Sequence, residues 1–302
     1  MRGNGARSVR APCGQCSMRT LPTHTLALFT TALTTLAIST ASADSIIPLN
    51  TTGPRPTAML VIENVQPVPV IFDTGAGGSV ISTALGDEHK LPNLGEARIS
   101  SPGATEALTV YRSKLPRARL GNADITGANV VVGELGVPLP EIAGVMSPNI
   151  FKGKLVRFEL TLSRVVILDK TRETTPQATP FAYHGAHPLP SITINVAGKN
   201  FDAHLDTGSG LGLSFPLEIA HQLPLKAGMT PTKPARMAGG ERKAFKAVIN
   251  GTVQIGPISL VDPEITLIER FQYVNVGFSI LKNGTIVLDP EAQRSWLLPP
   301  VQ

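Results

Sequence analysis

Val70-Ile71-Phe72-Asp73-Thr74-Gly75-Ala76 returns later in the chain as Ala203-His204-Leu205-Asp206-Thr207-Gly208-Ser209. Each segment is an apolar run that ends on an aspartate and then turns through Thr-Gly. A second pair of blocks follows in the same order. Met146-Ser147-Pro148-Asn149-Ile150-Phe151-Lys152 corresponds to Val276-Gly277-Phe278-Ser279-Ile280-Leu281-Lys282. The match runs on through Phe158-Glu159 against Leu288-Asp289, and Arg164 against Arg294. Separated blocks that recur in order indicate a chain built from two copies of one unit.

An isolated Asp before Thr-Gly is ordinarily a turn residue. At matched positions of a repeat, Asp73 and Asp206 become a candidate pair. Two carboxylates held close cannot both ionise, so they share one proton and titrate together. The ionised member can take a proton from water while the protonated member polarises a carbonyl, and amide hydrolysis needs both acts. An apolar strand before each Asp excludes bulk water. Gly75 and Gly208 let backbone approach the carboxylates, and the Thr74 and Thr207 hydroxyls can lock the two loops by bonding to the opposite backbone.

Between the blocks, each half carries a hairpin signal. In the first, Ala97–Ser100 leads through Pro102-Gly103 to Leu108–Tyr111. In the second, Ala235–Met237 leads through Gly239-Gly240 to Phe245–Val248. Pro-Gly and Gly-Gly supply the backbone freedom of tight turns.

Together these features resemble an aspartic protease of the pepsin and retropepsin type. The family pattern is an apolar strand, Asp-Thr-Gly-Ser/Ala, a flap hairpin and a later apolar-apolar-Gly strand, here Val276-Gly277. The resemblance covers nearly all of residues 45–300. It implies an all-β, bilobal fold of two retropepsin-like barrel halves related by a pseudo-twofold axis. Retropepsins assemble this from two identical chains, whereas here one chain carries both halves and a monomer is expected. Asp73 and Asp206 would be catalytic, with Thr74, Gly75, Thr207, Gly208 and Ser209 supporting them. The turns at Pro102, Gly103, Gly239 and Gly240 would be flaps over a peptide or unfolded-protein substrate. Three features depart from the pattern: Ser147 stands where the second half has Gly277, Tyr111 lies on a return strand rather than at a flap turn, and pepsin-type disulfides are absent.

Alternate side chains of a strand share a face, so Ile71 points with Asp73 and His204 with Asp206. Each is expected to border the cleft on its own side, with the His204 imidazole making its side tolerant of polar groups and changing charge near neutral pH. Two rival functions share the fold: an inactive peptide-binding protein, and a processing protease dedicated to one target.

The rest of the chain fits this frame. Gly (28) and Pro (26) are plentiful and aromatic residues scarce, favouring short strands and turns. Ile192, Ile194 and Val196 alternate with polar residues, as do Phe201, Ala203 and Leu205, and both read as half-buried strands. Val165–Leu168 and Thr285–Leu288 are further strands. Asn250-Gly251 and Asn283-Gly284 read as hairpin turns, and Pro216–Ala220 as the best of few short helices. Four prolines between Thr171 and Pro190 mark a joint. The expected halves are 45–175 and 185–300, with a linker over 176–190.

Residues 1–43 read as an export leader. Arg2, Arg7, Arg10 and Arg19 precede a mildly apolar stretch from Leu26 to Ile38, then Ala41-Ser42-Ala43. That stretch is too short and Thr-rich for a stable membrane anchor. The expected destination is periplasmic or secreted. Four of the 27 basic residues and none of the 22 acidic ones fall in the leader, so the remainder is close to neutral. The charge therefore gives no reason to expect nucleic-acid binding. Cys13 and Cys16 also lie in the leader. His184 and His187 lack further ligands nearby, and Gly75-Ala76-Gly77-Gly78 lacks the Gly-Lys-Ser/Thr ending of a phosphate loop. No metal and no cofactor are expected.

Overall fold

In the computed structural model the described residues are 44–100, 107–134, 141–185, 188–237 and 240–302. They form three sheets and only short helices, an all-β architecture of two similar halves. The alternation read in the sequence becomes burial: in Ser191–Val196, Ile192, Ile194 and Val196 are buried while Thr193 points outward. The next strand, Lys199–Asp206, begins exposed and ends with Ala203, His204 and Leu205 all buried, because its last residues enter the middle of a sheet.

Two nine-stranded sheets repeat one another strand for strand. In order, the first runs Glu96–Ile99, Leu108–Lys114, Asn129–Val132, Val80–Ile81, Gly144–Met146, Val68–Phe72, Thr57–Ile62, Ala118–Leu120, Ala123–Asp124. The second runs Thr230–Met237, Gly240–Val248, Glu264–Ile268, Leu213–Pro216, Val274–Gly277, Lys199–Asp206, Ser191–Val196, Thr252–Ile255, Ile258–Val261. In both, the strand that delivers the aspartate lies between an antiparallel neighbour and a short parallel one. The two blocks that recur in the sequence are thus adjacent in space.

A six-stranded sheet joins the halves. Its order is Ser45–Pro48, Arg164–Asp169, Lys154–Glu159, Thr285–Asp289, Arg294–Leu298, Phe181–Ala182. The seam is antiparallel, with Val156 opposite Leu288 and Phe158 opposite Ile286. One face feeds the main core through Val156, Phe158, Ile286 and Leu288. The other packs Leu155, Val166 and Leu168 of the first half on Val287 and Trp296 of the second. The Trp296 indole N–H donates to the Ala178 carbonyl at 2.8 Å. The proline-rich joint therefore runs along this sheet and gives it an edge strand.

Several turn assignments change. Asn250-Gly251 joins Gly240–Val248 to Thr252–Ile255, which lie in one sheet but do not pair, so this is a corner and not a hairpin. Asn283-Gly284 follows a short helix, Phe278–Leu281, and leads into Thr285–Asp289. Both Asn-Gly steps supply a sharp change of direction, and what they connect depends on distant pairing. At Pro216–Ala220 the helix is 3-10, spans Leu217–Gln222 and has Pro216 as the residue before it. An α-helix at Thr83–Glu88, capped by the Ser82 side chain, had no periodic signal because it spans six residues. No helix among the described residues is long and apolar enough to cross a membrane.

Candidate active site

The two Asp-Thr-Gly loops meet between the halves. Thr74 N–H donates to Thr207 Oγ1 and Thr207 N–H to Thr74 Oγ1, both at 3.0 Å. Each hydroxyl then donates onward: Thr74 to the Leu205 carbonyl at 2.6 Å, Thr207 to the Phe72 carbonyl at 2.8 Å. Both threonines are wholly buried, so every one of these polar groups depends on its partner across the interface.

This clasp presses each glycine against the opposite carboxylate. A Cβ on Gly208 would fall 2.2 Å from Asp73 Cγ, and one on Gly75 would fall 2.7 Å from Asp206 Cγ. The glycines are required by close approach rather than by backbone angle. Asp73 Oδ1 accepts from Gly75 N–H at 2.7 Å and from Gly208 N–H at 3.1 Å.

The two aspartates are alike in sequence and differ in surroundings. Burial, then the facing Asp206 charge, pushes Asp73 up to about 8, and its bond to Asp206 also favours the protonated form. Burial raises Asp206 too, but there several contacts favour the anion: the Asn275 amide, the bond from Asp73, the Ser209 N–H and the Arg55 charge. Asn275 Nδ2 donates to Asp206 Oδ2 at 2.7 Å. Burial thus raises both carboxyls, and the contacts that favour the anion are more numerous at Asp206.

Neither Asn275 nor Arg55 was singled out in the sequence. Asn275 pairs with His204, and Val145 pairs with Ile71, so the two are equivalent. The signal was present as one polar residue in an otherwise apolar strand. Arg55 sits in Pro54-Arg55-Pro56, whose counterpart is Pro188-Leu189-Pro190. Phe72 and Leu205 donate to the carbonyls of Pro56 and Pro190 respectively. The Arg55 side chain reaches across to the Gly208 carbonyl.

The matched later blocks also differ. Ser147 Oγ donates to the Ala76 carbonyl at 2.6 Å, and Ser147 N–H donates to Ser79 Oγ. At Gly277 the Leu211 carbonyl comes so close that a Cβ would lie 1.9 Å from it. There the backbone N–H bonds to the Gly212 carbonyl instead.

Above the aspartates is a cavity of about 920 Å³. Asp73, Gly75, Asp206, Gly208 and Ser209 form its floor, with Ile71 and Val145 on one side and His204 and Asn275 on the other. The hairpin Thr230–Met237 with Gly240–Val248 overhangs it through Pro234, Arg236, Met237 and Glu241. Gly240 pairs with Met237 at a φ of +110°. The proposed tip at Gly239 lies outside the described residues. So do Pro102 and Gly103, whose hairpin pairs Glu96–Ile99 with Leu108–Lys114. Tyr111 lies on that return strand.

His204 is 4% exposed and stacked on Tyr273, with ring centroids 4.3 Å apart. Burial, with a smaller effect from His184, pulls it down to about 4. The expectation that it changes charge near neutral pH is thus corrected: it is neutral there. His184 Nδ1 lies 3.8 Å from Asp202 Oδ2, and His187 lies outside the described residues. Among the described residues no three His, Cys, Asp or Glu side chains are grouped to hold a metal.

Two stretches of the chain, residues 58–150 and 192–284, each match the family model described as aspartyl protease. No curated protein matches the chain.

Proposed function

The chain belongs to the aspartyl protease family, and from that premise we propose that it is an active aspartic endopeptidase whose dyad is Asp73 and Asp206. The observation that carries the reading is the unequal pair of carboxylates in contact at the cavity floor. A substrate water between them loses a proton to Asp206 as its oxygen attacks the scissile carbonyl carbon. Asp73 gives its proton to the carbonyl oxygen, forming a neutral gem-diol. Collapse of that intermediate breaks the C–N bond: the proton taken up by Asp206 passes to the leaving amine, and Asp73 takes back a proton from a gem-diol hydroxyl, leaving the carboxylic acid and restoring the starting dyad. Catalysis needs no second chain, because both loops are in this one. The leader-like features of residues 1–43 support export to the periplasm or beyond. Burial of all four threonine hydrogen bonds supports the active reading over an inactive peptide binder, since a rigid clasp is what pre-positions two carboxylates.

The test is cleavage of an unfolded protein across pH by the chain lacking residues 1–43. Asp73→Asn and Asp206→Asn should each lower kcat by about 10²–10⁴-fold or more. A pepstatin-type inhibitor should block the wild type. Full activity of either variant would exclude the shared-proton mechanism.

A further inference from the structure

The equivalent rungs of the two nine-stranded sheets have opposite chemistry over their first four positions. In the first half, the rung through the residue two before the candidate catalytic aspartate reads Ile71, Val145, Val80, Val131, and then Arg112. In the second it reads His204, Asn275, Ser214, Thr266, and then Lys246. Residues directly opposite on neighbouring strands face the same way. Ile71 and Val145 line the cavity, as do all five polar residues of the second rung. Every apolar position beside Asp73 thus has a hydrogen-bonding counterpart beside Asp206.

This polar rung is only partly satisfied from within the protein. Ser214 is 1% exposed and His204 is 4% exposed, yet Ser214 Oγ and His204 Nε2 have no hydrogen-bond partner. Buried polar atoms normally find partners. Stacking on Tyr273 holds the imidazole in place. One amide hydrogen of Asn275 goes to Asp206, leaving the Asn275 carbonyl oxygen able to accept.

We propose that the Asp206 side of the cleft is a specificity pocket for a neutral hydrogen-bonding side chain, Asn, Gln, Ser or Thr, next to the scissile bond. The Ile71–Val145 side takes an apolar residue. This rests on the endopeptidase reading above. A carboxylate in the polar pocket would meet the Asp206 anion. The compensating cation on the rung, Lys246, is three strands beyond Asn275, roughly 14 Å away at normal strand spacing, and is paired with Glu264. An ionised side chain of either sign would be desolvated against His204, Asn275, Ser214 and Thr266, none of which carries a compensating charge. A neutral carboxamide or hydroxyl both donates and accepts, as the rung does. A site built to hydrogen-bond a substrate group discriminates strongly against analogues lacking it.

The test is digestion of a synthetic peptide mixture, with every residue type at each position, by the wild type and two variants. In the wild type, cleavage should fall between an apolar residue and Asn, Gln, Ser or Thr. In the double variant His204→Ile with Ser214→Val, which installs the first half's residues, the kcat/KM ratio of Gln over Leu at that position should fall at least about tenfold. The single variant His204→Gln should keep the preference, and melting temperatures establish that both variants fold. Equal wild-type cleavage of Leu and Gln peptides would overturn the pocket assignment and leave the endopeptidase reading standing. If nothing is cleaved, calorimetry with reduced-amide peptides carrying Gln or Leu at that position decides. Tighter Gln binding supports the pocket while hydrolysis fails, and equal binding overturns the pocket.

Discussion

At the floor of the cleft the Asn275 amide donates to Asp206, whereas Val145 occupies the matching place beside Asp73. In the proposed mechanism the singly protonated dyad is the working form, so activity should fall on both sides of an optimum. On the alkaline side the loss follows Asp73, near pH 8. On the acid side it follows protonation of Asp206, which Asn275 opposes. Asn275→Val removes a hydrogen bond to a charged group, about 1.5–3 kcal/mol. The acid limb of the kcat profile should therefore move up by about one to two pH units, and an unmoved limb would show that Asn275 does not set the charge of the dyad. Thr74→Val should cost about 1–3 kcal/mol in denaturant unfolding, because the Thr207 N–H and the Leu205 carbonyl are left unpaired in a buried site. Thr74→Ser should recover most of it. The aspartates, threonines and glycines were legible in the sequence because each role recurs at a matched position. Asn275 and Arg55 were not, because what matters about them is a difference between the copies, and matching blocks draws attention to what is shared.

Among the elements, the hairpin Thr230–Met237 with Gly240–Val248 has a part in the site that its first-half counterpart does not show. Its residues line the cavity, and no described residue of Glu96–Ile99 or Leu108–Lys114 does. Replacing residues 236–241 by a two-residue Asn-Gly turn shortens the overhang and leaves the pairing with Glu264–Ile268 in place. We expect kcat/KM for a peptide to fall by about tenfold or more, mainly through KM, with little change in melting temperature. An equal loss in the first-half hairpin trimmed the same way would mean that both close over the substrate. Hairpins and strands could be read from turn residues and period-two patterns, since both are local. The corner at Asn250-Gly251 could not, because a turn residue fixes a local bend and says nothing about whether the strands it joins will pair.

For the whole molecule, the sheet between the halves is the feature that ties the two loops into one site. Its cross-half strand pair and the Leu155, Val166, Leu168, Val287 and Trp296 cluster bury groups that either half alone would expose. Unfolding should therefore be one cooperative transition. Trp296 is the chain's single tryptophan and is 3% exposed within that cluster. Its fluorescence should change at the same denaturant concentration as the far-ultraviolet circular dichroism, and a separate earlier change would mean that the halves part before they unfold. The repeat made two halves legible, but the shared sheet was hidden because its pairing joins residues of different copies. Covalent continuity has a further consequence for Val145 and Asn275. In an enzyme assembled from two identical chains, one codon writes both positions, so any alteration beside one aspartate is forced on the other. Here the two are separate letters of one gene, and selection or a protein engineer can tune the surroundings of Asp73 and Asp206 independently.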